Sequence, residues 1–324
     1  METTSVVNFS NKEHTSLLNP FNLEYKTYDS WQSGCYFFVA NYKRIDEIDY
    51  LDELRKNNVF LIITDVLEGW PRRRFEDVQN FVEENNLQNK VYFATSLLST
   101  KEEYDNWTTE NNKQKIFSAF YYPEWYHRVY NNLYDFGLQE MPYEKENYFC
   151  CLNNRQREHR KKFVDILIQD NLLSQGWVSS TSHQLQLDGV GSRPHDFNSA
   201  IYEKCLINVI TETFYEQAWN KTGNIFFSEK TWKPIVCKQA FIMIGPKYSL
   251  QYLKELGFRT FDFLWDESYD TAEDEKRLYL AANSLYNAIN SYSIEELNKA
   301  TLEVRIHNLN QFKNIKDEMV KTCW

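Results

Sequence analysis

Glycine, proline and long apolar runs are scarce in this chain of 324 residues. It holds only 9 glycines and 7 prolines, which excludes the collagen-like, linker-rich and low-complexity classes. A glycine-rich phosphate-binding loop is not expected either, because the nearest pattern, at residues 189–191, does not continue into a dinucleotide-binding fingerprint. The longest apolar runs, residues 59–63 and 240–245, are far shorter than the roughly 20 residues that cross a bilayer, so we predict no membrane span.

Patterns typical of metal sites and secreted proteins are also missing. The six cysteines form no Cys-x-x-Cys pair, the six histidines are scattered, and Asp-x-Asp does not occur. We therefore predict that the protein has no metal site and needs no cofactor besides its substrate. We also predict that its cysteines are buried and reduced. The first 12 residues lack the basic start and apolar core of a signal peptide, so a cytoplasmic location is predicted, which for a viral protein is the host cytoplasm.

Aromatic and acidic residues, in contrast, are abundant. Phe, Tyr and Trp make up 16% of the chain, which is too much apolar surface for a disordered protein. Asp and Glu number 46 against 36 Lys and Arg, which gives a formal net charge of −10. This charge disfavours binding of nucleic acid or anionic membrane over the whole surface, although it leaves room for a local basic groove.

Short apolar runs alternate with amphipathic stretches along the whole chain. This alternation predicts an α/β fold with mostly parallel sheets and helices on both faces. Strands are predicted at residues 35–41, 59–65, 90–95, 116–122, 148–153, 205–211 and 240–245. Helices are predicted at residues 45–56, 75–84, 157–169, 228–238, 249–256, 272–290 and 293–314.

A polar segment at residues 134–147, which contains Gly137 and Pro142, predicts a domain boundary. We expect an N-terminal α/β domain over residues 1–145. A second α/β domain is expected over residues 146–270. Helices over residues 271–324 are expected to pack on the domains. The predicted fold is thus two Rossmann-like domains with C-terminal helices.

Five cations cluster where a helix is predicted to follow the strand that ends at Asn153. They are Arg155, Arg157, Arg160, Lys161 and Lys162. The helix macrodipole disfavours cations at a helix N-terminus, unless an anion binds there and reverses the balance. The cluster therefore fits a phosphate or pyrophosphate site, and the alternative is a solvated basic face.

A second cluster begins the helix predicted at residues 228–238. Ser228 is suited to be its N-cap, and Glu229 and Lys230 follow in the first turn. The alternative is an ordinary capped helix with exposed charges. Glu212 and Thr213 follow the strand at 205–211, and residues at the carboxyl ends of strands face the crevice in which α/β sheets bind ligands. The alternative for Glu212 is a plain loop acid.

The order and spacing of these motifs resemble the donor half of the family 10 glycosyltransferases, the α1,3/1,4-fucosyltransferases, over roughly residues 148–265. Asn153 and Arg160 are similar to the family's Asn and helix-opening Arg, and Ser228-Glu-Lys230 is similar to its Thr-Glu-Lys motif. The Phe-Glu-Asn strand end of the family looks like residues 211–213 here, with Thr in place of both Phe and Asn. The strand that ends at Gly245 is similar to the family's Pro-Ile-Tyr-x-Gly strand. Residues 151–160 and 265–270 look like those of virus- and bacterium-encoded relatives.

The resemblance implies a two-domain GT-B fold, in which residues 1–145 form the acceptor side and residues 146–270 the donor side. It also implies a metal-independent, inverting transfer of a sugar from a nucleoside-diphosphate sugar to a hydroxyl of a glycan or small acceptor. Arg160 and Lys230 would stabilise the leaving diphosphate. The residues implied to bind the donor are Asn153, Arg157, Glu212, Thr213, Ser228, Glu229 and Gly245. The general base is expected in a loop after a strand of the first domain, where Glu68 fits best and Glu124 second; the alternative for both is a solvated loop acid. The departures at Thr211 and Thr213 leave the nucleotide, the sugar and the acceptor open.

Two other functions remain open at this point. A viral enzyme that glycosylates hydroxymethylated bases in DNA would need a basic groove, for which residues 72–74 are the only cluster in the first half, and would need a base to leave the stack. A non-catalytic nucleotide-sugar or carbohydrate-binding module would bind without turnover. Five aromatic residues look exposed and suited to stack on sugar faces, with core packing as the alternative: Trp70, Tyr121, Tyr122, Trp125 and Tyr126.

Overall fold

The computed structural model describes residues 5–7, 24–26, 36–48, 51–56, 59–65, 72–135, 140–187, 199–215 and 224–315. The described residues fall into two compact units, one that ends at Arg128 (unit 1) and one from Val129 to Ile315 (unit 2). Each unit contains its own sheet. None of the described helices is long and apolar enough to cross a membrane.

Unit 1 is built on a six-stranded sheet in which every neighbouring pair is parallel. Its strands are β1 (Ser5–Val7), β2 (Glu24–Lys26), β3 (Tyr36–Asn41), β4 (Val59–Asp65), β5 (Val91–Thr95) and β6 (Ser118–Tyr121), in the order β2-β1-β3-β4-β5-β6. The helices that follow its strands are α1 (Leu51–Leu54), α2 (Arg72–Glu84), α3 (Thr100–Glu110) and α4 (Glu124–Asp135), of which α4 begins in unit 1 and continues into unit 2. Parallel strands need such crossover helices, because a tight turn cannot return the chain to the same end of the sheet.

Aromatic rings fill the core of unit 1. Phe75 of α2 packs edge-on against Phe93 of β5, with ring centroids 6.0 Å apart. Tyr104 of α3 lies 4.2 Å from Phe117, ring centre to ring centre. These aromatic residues therefore pack α2 and α3 against the sheet of unit 1.

Unit 2 contains a four-stranded parallel sheet. Its strands are β7 (Asn147–Asn153), β8 (Gly176–Ser180), β9 (Cys205–Thr211) and β10 (Ala240–Ile244), in the order β10-β9-β7-β8. Its helices are α5 (Glu158–Gln169), α6 (Ser199–Lys204), α7 (Glu229–Val236), α8 (Ser249–Glu255), α9 (Asp274–Ser291) and α10 (Ile294–Asn314). β9 and β10 are buried at every position, as strands covered on both faces should be.

The order of the strands in unit 2 creates a switch point. The chain leaves β7 for β8 on one side and later returns to place β9 on the other side of β7. In open parallel sheets, a crevice opens at the carboxyl ends of the two strands where the winding reverses, and ligands bind there. In this unit that position lies between the ends of β7 and β9, at Asn153 and Thr211.

The prediction of an α/β fold with parallel sheets is confirmed, and the strands predicted at 59–65 and 205–211 have the predicted bounds. The four described cysteines are buried, as predicted, and form no disulfide with one another. The helix predicted at 45–56 is wrong, since a 3₁₀ turn (Tyr42–Glu47) and the single turn of α1 stand there. The elements missed in the sequence include β8, α3, α4 and α6.

For four of the five aromatic residues considered for stacking on sugars, the alternative of core packing is correct. Tyr121, Tyr122, Trp125 and Tyr126 are all buried, Tyr126 completely. They end β6 and begin α4, where they contribute to packing instead of offering a platform for a sugar. Trp70, the fifth member of that set, lies outside the described residues.

Candidate functional site

The two strand ends at the switch point are joined directly. Thr211 Oγ1 donates a hydrogen bond of 2.5 Å to Oδ1 of Asn153, and both residues are buried. Asn153 Nδ2 in turn donates to the sulfur of Cys151 at 3.2 Å. The floor of the crevice is therefore a closed polar network and not an open apolar gap.

Arg160, on the first turns of α5, reaches across to the end of β9. Its Nη2 donates to the carbonyl oxygens of Thr211 at 2.9 Å and of Glu212 at 3.1 Å. His159, the preceding residue, also bonds the Glu212 carbonyl through Nε2, at 3.0 Å. The N-terminal turn of α5 is thus fixed to the β9 end by two adjacent side chains.

The carboxylate of Glu212 connects the end of β9 to the start of α7. It accepts four hydrogen bonds, from the backbone N–H groups of Thr213 and Ser228 and from the hydroxyls of Ser228 and Thr231, at 2.6 to 3.1 Å. A carboxylate has about four lone-pair positions, so its capacity is filled by protein donors. Glu212 is completely buried, and the N-termini of α5 and α7 both converge on it.

The start of α7 has the predicted cap. Ser228 is the N-cap, and its hydroxyl accepts from the backbone N–H of Lys230 at 3.3 Å. Lys230 Nζ lies 2.9 Å from Oε1 of Glu229 and 3.2 Å from the Ser228 hydroxyl. Burial, the largest single influence, raises the pKa of Glu229, but the charges and hydrogen bonds around it, chiefly from Lys230 and then Lys233, bring its pKa below the ordinary value.

Arg160 is buried without a carboxylate partner among the described residues, and its Nε has no hydrogen-bond partner among them. Burial is the main cause that lowers the pKa of its guanidinium. Arg157, the N-cap of α5, is half-buried, and its side chain has no hydrogen bond or ion pair within the described part of the chain. The charges of Glu212 and Glu229 partly oppose the lowering of the Arg160 pKa. Neither carboxylate forms an ion pair with Arg160 or Arg157 within the described residues, and the macrodipole of α5 adds positive potential at the same helix N-terminus.

The remaining members of the predicted basic cluster behave differently. Lys161 and Lys162 are exposed and pair with Asp165 and Glu275 at 3.4 and 3.5 Å. The five cations therefore do not act together, because the helix directs Arg160 inward and both lysines outward.

Gly245 and Thr213 complete the predicted donor-binding set. Gly245 follows β10, and a Cβ placed there would lie 3.4 Å from the Cβ of Glu212, so the strand end approaches Glu212 closely. Its carbonyl accepts a hydrogen bond from the buried Arg277 of α9. Thr213 is half-buried, next to Glu212.

The predicted general bases have different outcomes. Glu68 lies outside the described residues. The interpretation of Glu124 as a solvated loop acid is wrong, since it is in the first turn of α4, completely buried and paired with Arg128. Burial raises the pKa of the Glu124 carboxyl, and the charge of Arg128 opposes this rise.

The basic residues that a DNA groove would need are already neutralised where the structure describes them. Arg72 pairs with Glu103 and Glu110, and Arg74 Nε bonds Asp65 at 3.0 Å. Arginine side chains held by carboxylates in this way are poorly placed to contact phosphates.

Three side chains at the switch point were not predicted as site residues from the sequence: His159, Tyr215 and Arg277. His159 stacks on Tyr215 with ring centroids 4.9 Å apart, and Arg277 lies over the same ring at 4.7 Å. Burial, with the charge of Arg160, lowers the pKa of His159 to about 3, so it is neutral and donates Nε2–H to the Glu212 carbonyl. Only the fold brings α9 and the residues after β9 next to α5.

No cluster of three or more metal-ligating side chains occurs within the described part of the chain. A surface cavity of about 480 Å³ lies elsewhere in unit 2, lined by Phe258, Phe263 and residues of α10 such as Val304. It contains none of the predicted site residues, and ion pairs on its rim join Lys254 to Asp262 and Arg259 to Glu303.

No protein-family model matches the sequence, and no curated protein matches it. The arrangement must therefore be interpreted from its own chemistry. Two helix N-termini meet at the carboxyl edge of a parallel sheet, with Arg157, Arg160 and Lys230 beside them. Such an arrangement can bind a multiply charged anion without a metal.

Proposed function

We propose that the protein is a metal-independent, inverting glycosyltransferase that moves a sugar from a nucleoside-diphosphate sugar to a hydroxyl group of a glycan or small acceptor. In this proposal unit 2 binds the donor, and the two units correspond to the Rossmann-like domains of a GT-B fold. The motif resemblance over residues 148–265 supports the donor and the reaction type. The arrangement at the switch point supports a diphosphate ligand.

The observation that carries the proposal is the convergence of α5 and α7 on Glu212. It places Arg160 and Lys230 at two helix N-termini, at the position where parallel sheets bind ligands. Burying a guanidinium is costly, and the hydrogen bonds of Arg160 within the described residues go only to backbone carbonyls, although the charges of Glu212 and Glu229 act on it from nearby. A diphosphate would add negative charge that is bonded directly to the guanidinium.

The chemistry follows from that placement. Cleavage of the bond between the sugar and the diphosphate leaves negative charge on the phosphate oxygens, and fixed cations stabilise it as it develops. Arg160 and Lys230 take this role, Arg157 binds the outer phosphate oxygens, and Glu229 accepts from hydroxyls of the ribose or donor sugar. Because the Glu212 carboxylate is saturated by protein donors, we assign it to holding α5 and α7 together and not to contact with the sugar.

Inversion by single displacement needs a general base near the acceptor hydroxyl. Glu68 remains the proposed base. Glu124 is disfavoured, because a buried carboxylate already paired with Arg128 has little access to an acceptor.

The test is thermal unfolding of the purified protein against GDP-, UDP- and CMP-sugars, with and without EDTA, followed by a donor-turnover assay. A bound donor should raise the melting temperature by mass action, and EDTA should not remove the shift. Arg160→Ala and Lys230→Ala should each weaken the shift. No shift with any donor, or a strict requirement for a divalent metal, would contradict the proposal. Binding without turnover would identify a non-catalytic nucleotide-sugar-binding module instead.

A further inference from the structure

A chain of three hydrogen-bonded side chains lies beside the switch point, outside the set already described. Asp165 of α5 accepts from Nε2 of His183 at 2.8 Å, and Nδ1 of His183 is 2.8 Å from the hydroxyl of Ser180. Ser180 is the last residue of β8 and is buried, and His183 ends the 3₁₀ turn that follows. Asp165 is partly exposed.

The directions of these bonds are fixed by the donors available. An ionised carboxylate only accepts, so Nε2 of His183 must carry a hydrogen. A neutral His183 then accepts the Ser180 O–H at Nδ1, whereas a protonated His183 donates to the Ser180 oxygen. The chain is therefore satisfied in both protonation states of the histidine. The hydrogen bond from His183 is also the main cause that holds the pKa of Asp165 below its ordinary value.

The turn that carries His183 is held next to Asn153 by strand pairing and hydrogen bonds. Ser180 pairs with Asn153 in the register of β7 and β8. Ser179 Oγ accepts from the backbone N–H of Asn153 at 3.1 Å, and Thr181 Oγ1 donates to its carbonyl at 3.4 Å. Three consecutive residues thus hold the strand end that forms the floor of the crevice.

Asp165, the other end of this chain of hydrogen bonds, is on the helix that carries Arg160. Asp165 follows Arg160 by five residues on α5, which is about 7.5 Å along the helix axis. The chain therefore connects the body of α5 to the turn around Asn153. It closes a loop in which Arg160 bonds the Thr211 carbonyl and Thr211 bonds Asn153.

We propose that Asp165, His183 and Ser180 are positioning residues of the anion site, which fix the distance between Arg160 on α5 and Asn153 on β7. The inference rests on the proposed function, since it concerns the geometry of the same site. None of the three needs to touch the ligand. Their effect is to keep α5 from shifting along the sheet, so that the Arg160 guanidinium keeps its place relative to the strand end at Asn153.

The first test compares a substitution on α5 with one at its C-cap. Asp165→Ala and Asp170→Ala each remove one negative charge, and Asp170, the C-cap of α5, is exposed and takes no part in the hydrogen bonds of His183. Charge alone predicts that both variants bind anions slightly more tightly. The positioning role predicts the opposite sign for Asp165→Ala, a loss of about tenfold in affinity for GDP or UDP by titration calorimetry. Equal or tighter binding by Asp165→Ala would overturn the inference.

The second test uses a matched pair of histidines. His183→Leu removes the centre of the chain, and His307→Leu removes a single hydrogen bond of 2.8 Å to the Gly257 carbonyl elsewhere in unit 2. Both should lower the melting temperature, but only His183→Leu should weaken binding of the nucleoside diphosphate. Equal effects of the two variants on affinity would mean that His183 is merely structural.

A double variant then asks through which residue His183 acts. If it acts through Asn153, Asn153→Ala combined with His183→Leu should bind no more weakly than Asn153→Ala alone. Additive losses would overturn the proposed connection. If the wild-type protein binds neither GDP nor UDP, the proposed function itself fails, and that result is distinct from a wild type that binds and variants that bind equally well.

Discussion

Thr211 Oγ1 donates to Oδ1 of Asn153 at 2.5 Å, across the two strands between which the winding of the unit 2 sheet reverses. The bond joins residues far apart in sequence and closes the bottom of the crevice. It also fixes the Asn153 amide, since Oδ1 is used by Thr211 and Nδ2 faces the Cys151 sulfur. The relative position of the two strand ends is therefore fixed by the protein's own hydrogen bonds and does not require a ligand.

Replacement of Thr211 by Val tests this bond, because Val keeps the shape and loses the hydroxyl. It leaves the buried Oδ1 of Asn153 without a donor, so we expect a loss of about 1 to 3 kcal/mol in the free energy of unfolding. Urea unfolding measures it. Thr301→Val is the control, since Thr301 is equally buried but bonds only to carbonyls of its own helix. A Thr211→Val protein no less stable than this control would show that the bond contributes little.

Glu212→Gln should be damaging although it preserves size. One oxygen of Glu212 receives the backbone N–H of Ser228, and the other receives that of Thr213. In either orientation of a glutamine, its NH₂ group faces a backbone N–H that cannot rotate away. We expect a loss of about 2 kcal/mol or more, measured by urea unfolding, because two buried donors then oppose each other.

Glu296→Gln is the matched control for that substitution. In the capping box of α10, one oxygen of Glu296 accepts both the backbone N–H and the hydroxyl of Ser293. A glutamine can place its carbonyl oxygen there and keep the cap. Its cost should stay below about 1 kcal/mol, and a cost equal to that of Glu212→Gln would refute the argument from fixed donors.

The pH dependence of stability should reveal the neutral state of His159. Its pKa falls from an ordinary 6.5 to about 3 in the folded protein, mainly through burial. Between these values the unfolded chain binds a proton that the folded chain does not, so stability is complete above about pH 6.5 and falls as the pH drops towards 3. The limiting slope from this group is about 1.4 kcal/mol per pH unit.

His159→Gln isolates this contribution, because a glutamine can still donate to the Glu212 carbonyl without titrating. The difference in the free energy of unfolding between wild type and variant, measured at pH 7 and pH 4.5, should shift in favour of the variant at the lower pH. An unchanged difference would mean that His159 takes up a proton in the folded state.

Sequence patterns predicted the strands and helix starts of unit 2 better than the side-chain contacts within the unit. Strand 205–211 and the Ser228 cap of α7 follow from local rules of apolar runs and helix starts. The burial of Tyr126 and Glu124 does not, because it depends on where α4 packs. The chain of Asp165, His183 and Ser180 joins a helix to a later strand end, and such a contact leaves no periodic trace in a single sequence.

The two proposed cations of the site should differ in their tolerance of conservative exchange. Arg160 uses Nη2 to bond two carbonyls at the end of β9 and Nη1 to bond the Arg155 carbonyl at 3.5 Å, and its Nε has no partner among the described residues. A lysine cannot present this fork, so Arg160→Lys should weaken binding of GDP or UDP about tenfold or more, measured by titration calorimetry. Lys230 is partly exposed and acts as a point charge beside Glu229, so Lys230→Arg should stay within about threefold of wild type. If Arg160→Lys binds as well as Lys230→Arg, the site requires only charge at Arg160, and the planar geometry proposed for this residue is wrong.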